Sequence, residues 1–140
     1  MTRRLGLLLA AVVMAACGNG EERPVDDRPV CEVRFAAPGG FEPLPAFEED
    51  YPDHVGVRLG FRDQGRQFHV LAGIPGEIGE GLPVVGSVEL TEGRTARLLG
   101  RDDVWIVVWE ENDRCDPRAV IGNGFSRRTF REALAEAGLV

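Results

Sequence analysis

The residues able to do chemistry are few and scattered. Ser87 and Ser126 are the only serines. Ser87 falls inside a β-type run. Ser126 stands at the head of a helical pattern, where a hydroxyl caps the helix. No Gly-x-Ser-x-Gly run exists, so a hydrolase of the Ser-His type is not expected. His54 and His69 fall on the two arms of one hairpin, roughly 20 Å apart at the usual strand rise. They are too far apart to share a metal directly, and both are expected on polar strand faces. Acidic clusters at 48–53, 102–103 and 110–116 lack the spacing of an EF-hand and read as solvated loop charge. Gly76, Gly79 and Gly81 resemble a phosphate loop in glycine content alone. Glu77 and Glu80 inside that run repel phosphate, and no Lys follows. The 3 cysteines are too few for a disulfide scaffold or a four-thiolate zinc site. These types and spacings point to no catalytic residue, no metal and no cofactor, and the chain is expected not to be an enzyme.

The clearest signal is an address. Arg3 and Arg4 form a basic start, Leu5–Val13 an apolar stretch, and Ala15-Ala16 the small residues before a cleavage point. The apolar stretch is too short to span about 30 Å of hydrocarbon. Val13-Met14-Ala15-Ala16-Cys17-Gly18 resembles the lipobox of bacterial lipoproteins, with Met14 where Leu is usual. The resemblance implies that residues 1–16 are removed, that Cys17 carries the lipid, and that the lipid holds the chain to the cell membrane on its extracytoplasmic face. The alternative is an ordinary secretory signal with an incidental Cys. Export leaves Cys31 and Cys115 in an oxidising compartment, where an isolated pair bonds. The other reading is two free buried thiols.

Composition agrees with one exported domain. The chain has 140 residues, 44% hydrophobic and 28% charged, which is a globular balance. All 16 basic residues are Arg, against 23 acidic residues, for a net charge of −7. Loss of Arg3 and Arg4 leaves 14 basic and 23 acidic residues, net −9. Such a chain repels phosphate backbones, so no nucleic-acid partner is expected. It is equally unsuited to lying on anionic lipid, so a tether is expected. Residues 17–29, polar and containing Pro and Gly, fit that role. Residues 30–140 then form a single domain.

The elements that position these residues are mostly strands. Val30–Phe35 alternates enough to be one. Prolines at 38, 43, 45 and 52 break any regular element up to Asp53, and Phe41, Phe47 and Tyr51 are expected to pin that loop. His54–Arg62 and Gln67–Ile74 form a hairpin about the turn 63–66. Matching apolar positions sets Phe61 opposite Phe68 and Leu59 opposite Val70. Residues 75–83 read as a flexible connection. Strands follow at Val84–Leu90, Arg94–Leu99, Val104–Trp109 and Arg118–Gly122. Phe130, Leu134 and Ala137 form one stripe of a terminal helix, started by Ser126 and stopped by Gly138. The expected class is α+β: an antiparallel sheet built from hairpins with a C-terminal helix packed on one face.

Val104–Trp109 is apolar on both faces, so it is expected to be central and covered twice. Trp105, Val107 and Trp109 share a face with Ala96, Leu98, Val88 and Leu90. This is the natural seat of the helix; the other reading is a Trp platform for a ligand. The opposite face mixes Val104, Ile106 and Val108 with Ser87, Glu89, Thr95 and Arg97. It is either covered by the Phe-rich segment 35–51 or open as a concave apolar binding surface.

From Val84 onward the chain resembles a domain of unknown function. That domain occurs in bacterial surface lipoproteins and anti-sigma-factor-like proteins and is grouped with lipoprotein carriers. The resemblance lies in Gly86-Ser87-Val88-Glu89-Leu90, in Trp105 through Trp109-Glu110-Glu111-Asn112, and in Val120-Ile121-Gly122 before a Ser-started helix with Phe130 and Leu134. Cys115 departs from it. It implies an extracytoplasmic sensing or binding module and carries over no catalytic residue. The leading expectation is a lipid-anchored binding or sensing module with an apolar ligand. The alternative is an accessory or structural subunit of a cell-envelope complex, with an envelope protein as partner.

Overall fold

The computed structural model describes residues 27–140. The segment 1–16 expected as a signal, Cys17 expected to carry a lipid, and most of the expected tether 17–29 lie outside the described residues. Arg28 and Pro29, expected within the tether, already bond to the body: Arg28 Nη1 donates to Tyr51 O at 2.8 Å, and Val55 N to Pro29 O at 2.9 Å.

Eight strands form one antiparallel sheet: β1 (Glu42–Pro43), β2 (Phe47–Asp50), β3 (Val55–Asp63), β4 (Arg66–Ala72), β5 (Val84–Glu89), β6 (Thr95–Arg101), β7 (Val104–Trp109) and β8 (Arg118–Asn123). The order is β1-β3-β4-β8-β7-β6-β5, and β2 also pairs with β3. One helix among the described residues, α1 (Arg127–Glu136), follows. The α+β class, with its antiparallel sheet and C-terminal helix, holds.

Local chemistry accounts for these elements. The β3–β4 hairpin pairs Phe61 with Phe68 and Leu59 with Val70, the register that burying one apolar face requires. Ser126 Oγ accepts from Thr129 N at 3.1 Å, and Ser126 N donates to Thr129 Oγ1 at 2.9 Å, a reciprocal cap. At the other end Gly138 takes φ +77°. Its N–H bonds to Ala135 O and that of Leu139 to Leu134 O, closing a Schellman turn.

The main core lies between α1 and one face of the sheet. Phe130, Ala133 and Leu134 meet Val88, Leu90, Ala96, Leu98, Trp105, Val107 and Trp109. Both indoles are buried and satisfied: Trp105 Nε1 donates to Phe125 O and Trp109 Nε1 to Glu111 Oε2, each at 3.1 Å. The Trp pair is therefore core and not an exposed platform. At Gly122 a Cβ would come within 2.6 Å of the Phe130 ring, so only glycine lets the helix sit this close.

Four expectations are corrected. Residues 30–35 form no strand beyond a single bridge between Val30 and Val55, because their inward side chains are held by core contacts and not by a ladder. The proline-rich segment holds two short edge strands, a place where a missing N–H is tolerated. Phe47 pins nothing in the core; it is exposed under Arg58, while Phe35 and Phe41 join the helix-side core. The aliphatic part of the mixed face is covered by the connection 75–83, while Ser87, Glu89, Thr95 and Arg97 stay exposed. Ile74, Ile78 and Leu82 pack on Leu71, Leu99, Ile106, Val108 and Ala119. That connection is a flap, and its Gly79 backbone rests against Ile106 and Leu99.

Candidate functional site

Helix α1 does not cover the whole of its face. Alternation along β3 and β4 sets Val57, Leu59, Val70 and Ala72 on the same side. A strap formed by residues 28–36 crosses that side, with Cys31, Val33 and Phe35 turned inward. Between the strap, β2 and the hairpin lies a cavity of about 270 Å³. Its walls are Val30, Val33, Ala46, Val57, Leu59 and Val70, with Cys31 and Ala72 beside them. Glu32 from the strap and Glu48 from β2 also line it.

The strap is tied down at several points. Cys31 and Cys115 are bonded, with S–S 2.01 Å and Cα atoms 5.4 Å apart. Cys31 N donates to Val55 O at 2.9 Å, and Ala36 N to Ala137 O at 3.1 Å. A Cβ at Gly73 would meet Cys31 Sγ at 2.6 Å and His54 Cδ2 at 2.9 Å, so glycine is what lets these groups converge. The fold thus brings His54 and Cys31 together at Gly73.

His54 is buried, which corrects its expected place on a polar face. Strand alternation begins one residue later, at Val55, and Tyr51 stacks on the ring with centroids 4.7 Å apart. Nδ1 lies 2.7 Å from Asp53 Oδ1, and Nε2 lies 2.7 Å from Gly73 O. Both neighbours accept, so the doubly protonated ring satisfies both. Burial works against that charge, but the bonds to Asp53 and Gly73 outweigh it and raise the pKa above the ordinary 6.5. His69, half-buried on β4 opposite Ile121, moves the other way, lowered by burial and then by Arg58.

The loop carrying Cys115 is organised by Arg118. Its buried guanidinium lies 3.0 Å from Glu111 and 2.9 Å from both Asp113 and Asp116. Burial disfavours the cation, yet Asp113, Glu111 and Asp116 together hold its pKa above the usual value. Hydrogen bonding to Arg118 in turn lowers Asp113. Asp116 and Asp113 also accept from the backbone N–H groups of Glu111 and Cys115. The cluster at 110–116, expected as solvated charge, is thus in part a buried ion network that fixes one end of the disulfide. The signal was present in the sequence as an Arg at the start of the next strand.

Ser126 is spent on the helix cap, and Ser87 lies exposed on edge strand β5. Among the described residues no group of three or more His, Cys, Asp or Glu is placed to hold a metal ion. A second cavity, of about 440 Å³, lies beside the flap and is lined by Glu77, Glu80, Glu110 and Arg97. No protein-family model, no curated protein and no solved structure matches this chain.

Proposed function

We propose that the chain is a lipid-anchored, extracytoplasmic module that binds a small apolar ligand without catalysing a reaction. The observation that carries this reading is the aliphatic cavity under the strap, walled by Val33, Val57, Leu59 and Val70. The disulfide supports an oxidising compartment. The lipobox-like run ending at Cys17 supports the anchor, as does the resemblance of 84–140 to a domain of surface lipoproteins. No helix among the described residues is long and apolar enough to cross a membrane.

Native mass spectrometry of the protein from its own host tests the binding. A co-purifying apolar molecule, lost from Leu59→Trp, is expected. A ligand-free protein that also takes up no apolar probe would overturn it. Cys17→Ala tests the anchor and should leave the protein uncleaved or soluble. Processing at residue 17 with the variant still held on the membrane would end the lipoprotein reading.

The second reading, an accessory subunit of an envelope complex, loses the aliphatic stripe of its expected interface to the flap, while Ser87, Glu89, Thr95 and Arg97 stay exposed. It has one further support: among the described residues β5 is an edge strand, with Val84 exposed. A co-purifying protein in the same experiment favours it.

A further inference from the structure

We infer that the cavity under the strap takes a free, short-chain cationic amphiphile: an apolar body carrying an amine or guanidinium head. The inference rests on the binding reading above and adds the chemistry of the ligand.

The walls supply the first half. Val33, Val57, Leu59 and Val70 offer aliphatic surface and no hydrogen-bonding side chain. At about 270 Å³ the cavity lies just below the usual range of small-molecule sites. It has room for one short aliphatic chain and not for the two acyl chains of a phospholipid, which favours a free small molecule as occupant.

The rim supplies the second half. The two ionisable residues that line the cavity are both acidic, Glu32 and Glu48, and both are exposed at its rim; Glu32 also borders the neighbouring pocket that holds Arg34 and Arg118. They come from different elements, the strap and β2. Glu48 pairs with Val57 across the β2–β3 ladder, so it stands on the cavity side of the sheet. No Arg or His lines the cavity, and neither carboxylate has an ion pair or side-chain hydrogen bond within the described residues. Near Cys115, by contrast, Arg118 neutralises Glu111, Asp113 and Asp116.

Three head groups can be compared. A carboxylate head meets two like charges without a counter-charge. A neutral hydroxyl head donates one hydrogen bond to a carboxylate and brings it no counter-charge. An ammonium head gains charge-assisted hydrogen bonds, and the acidic chain as a whole draws it in. Pairs this exposed are each worth up to about fivefold in affinity.

The test is titration calorimetry on the full chain in phosphatidylcholine nanodiscs, with empty nanodiscs as blank. Hexylamine, hexanol and hexanoate are the probes. Hexylamine should bind more tightly than hexanol, by up to about fivefold for each carboxylate it meets, and hexanoate most weakly. The double variant Glu32→Gln/Glu48→Gln should lose the amine preference and keep hexanol binding. Glu49→Gln makes the same kind of charge change on the other face of β2 and should keep the preference. Equal binding of the three probes, or a preference that Glu49→Gln removes as fully, overturns the inference and leaves the apolar cavity standing. Failure of all three probes to bind overturns the binding reading as well.

Discussion

His54 donates from Nε2 to the carbonyl oxygen of Gly73 at 2.7 Å, and so fastens the start of β3 to the chain leaving β4. Cys31 packs on the same glycine. One imidazole therefore supports the point where the strap enters the fold.

This pairing predicts a pH dependence. The unfolded ring titrates near about 6.5, and the folded ring holds its proton to higher pH. Its contribution to stability is complete below about pH 6.5 and is lost as the pH rises through the folded value. Melting temperatures between pH 5.5 and 8.5 should fall more steeply for the native protein than for His54→Gln. Parallel curves for the two proteins would remove His54 as the cause.

The bond between Cys31 and Cys115 closes a loop with a sequence separation of 84. Chain entropy sets its contribution at about 4–5 kcal/mol as an upper figure. Denatured, unreduced protein should show neither thiol free, and reductant should lower the melting temperature. Hydrogen exchange should quicken first at the amides of Cys31 and Ala36. A melting temperature indifferent to reductant would contradict a stabilising role.

Arg118 holds three carboxylates from a buried position. Arg118→Ala leaves them facing one another and should cost about 3–5 kcal/mol. Arg118→Lys should recover only part of this, because an ammonium lacks the planar fork that reaches Asp113 through two nitrogens. Urea titration of the three proteins gives the order; full recovery by Lys would refute the geometric argument.

Leu134 is fully buried under the Trp face. Leu134→Ala should cost about 2–5 kcal/mol and shift Trp emission to the red. Ser126→Ala should cost about 1 kcal/mol through the lost cap. Unchanged emission in Leu134→Ala would detach the helix from Trp105 and Trp109.

Much of the sheet was legible because one rule governs it. Where strict alternation runs through both arms, as from Val55 to Ala72, only one register buries every apolar side chain. Helix α1 was legible for the same kind of reason, with its cap, stripe and stop in order. The flap was not. Ile74, Ile78 and Leu82 are single aliphatic residues among glycines, and nothing local says that they meet a floor of Leu99, Ile106 and Val108. The strap was half legible: its inward positions show in the alternation, but its lack of a ladder partner does not. The cavity was the least legible, since its walls come from four separate stretches of chain. His54 was misplaced because it stands just before the first alternating position, where the Tyr51 ring and the chain at Gly73 enclose it.

The Cys31–Cys115 bond also decides how the molecule carries tension. A pull applied between the N-terminal side and the C-terminus reaches Cys31, crosses the two sulfurs, and leaves through Cys115. The residues between them, most of the sheet, sit on a bypassed branch and bear no load. From Cys31 onward, only the stretch beyond Cys115 can be drawn out, about 25 residues or about 85 Å at full extension. Under the same pull, a reduced chain would pay out through the strap, β3 and β4 as well. The bond thus limits how far the chain between the two cysteines can be drawn out and keeps Val57, Leu59 and Val70 off the covalent line of force.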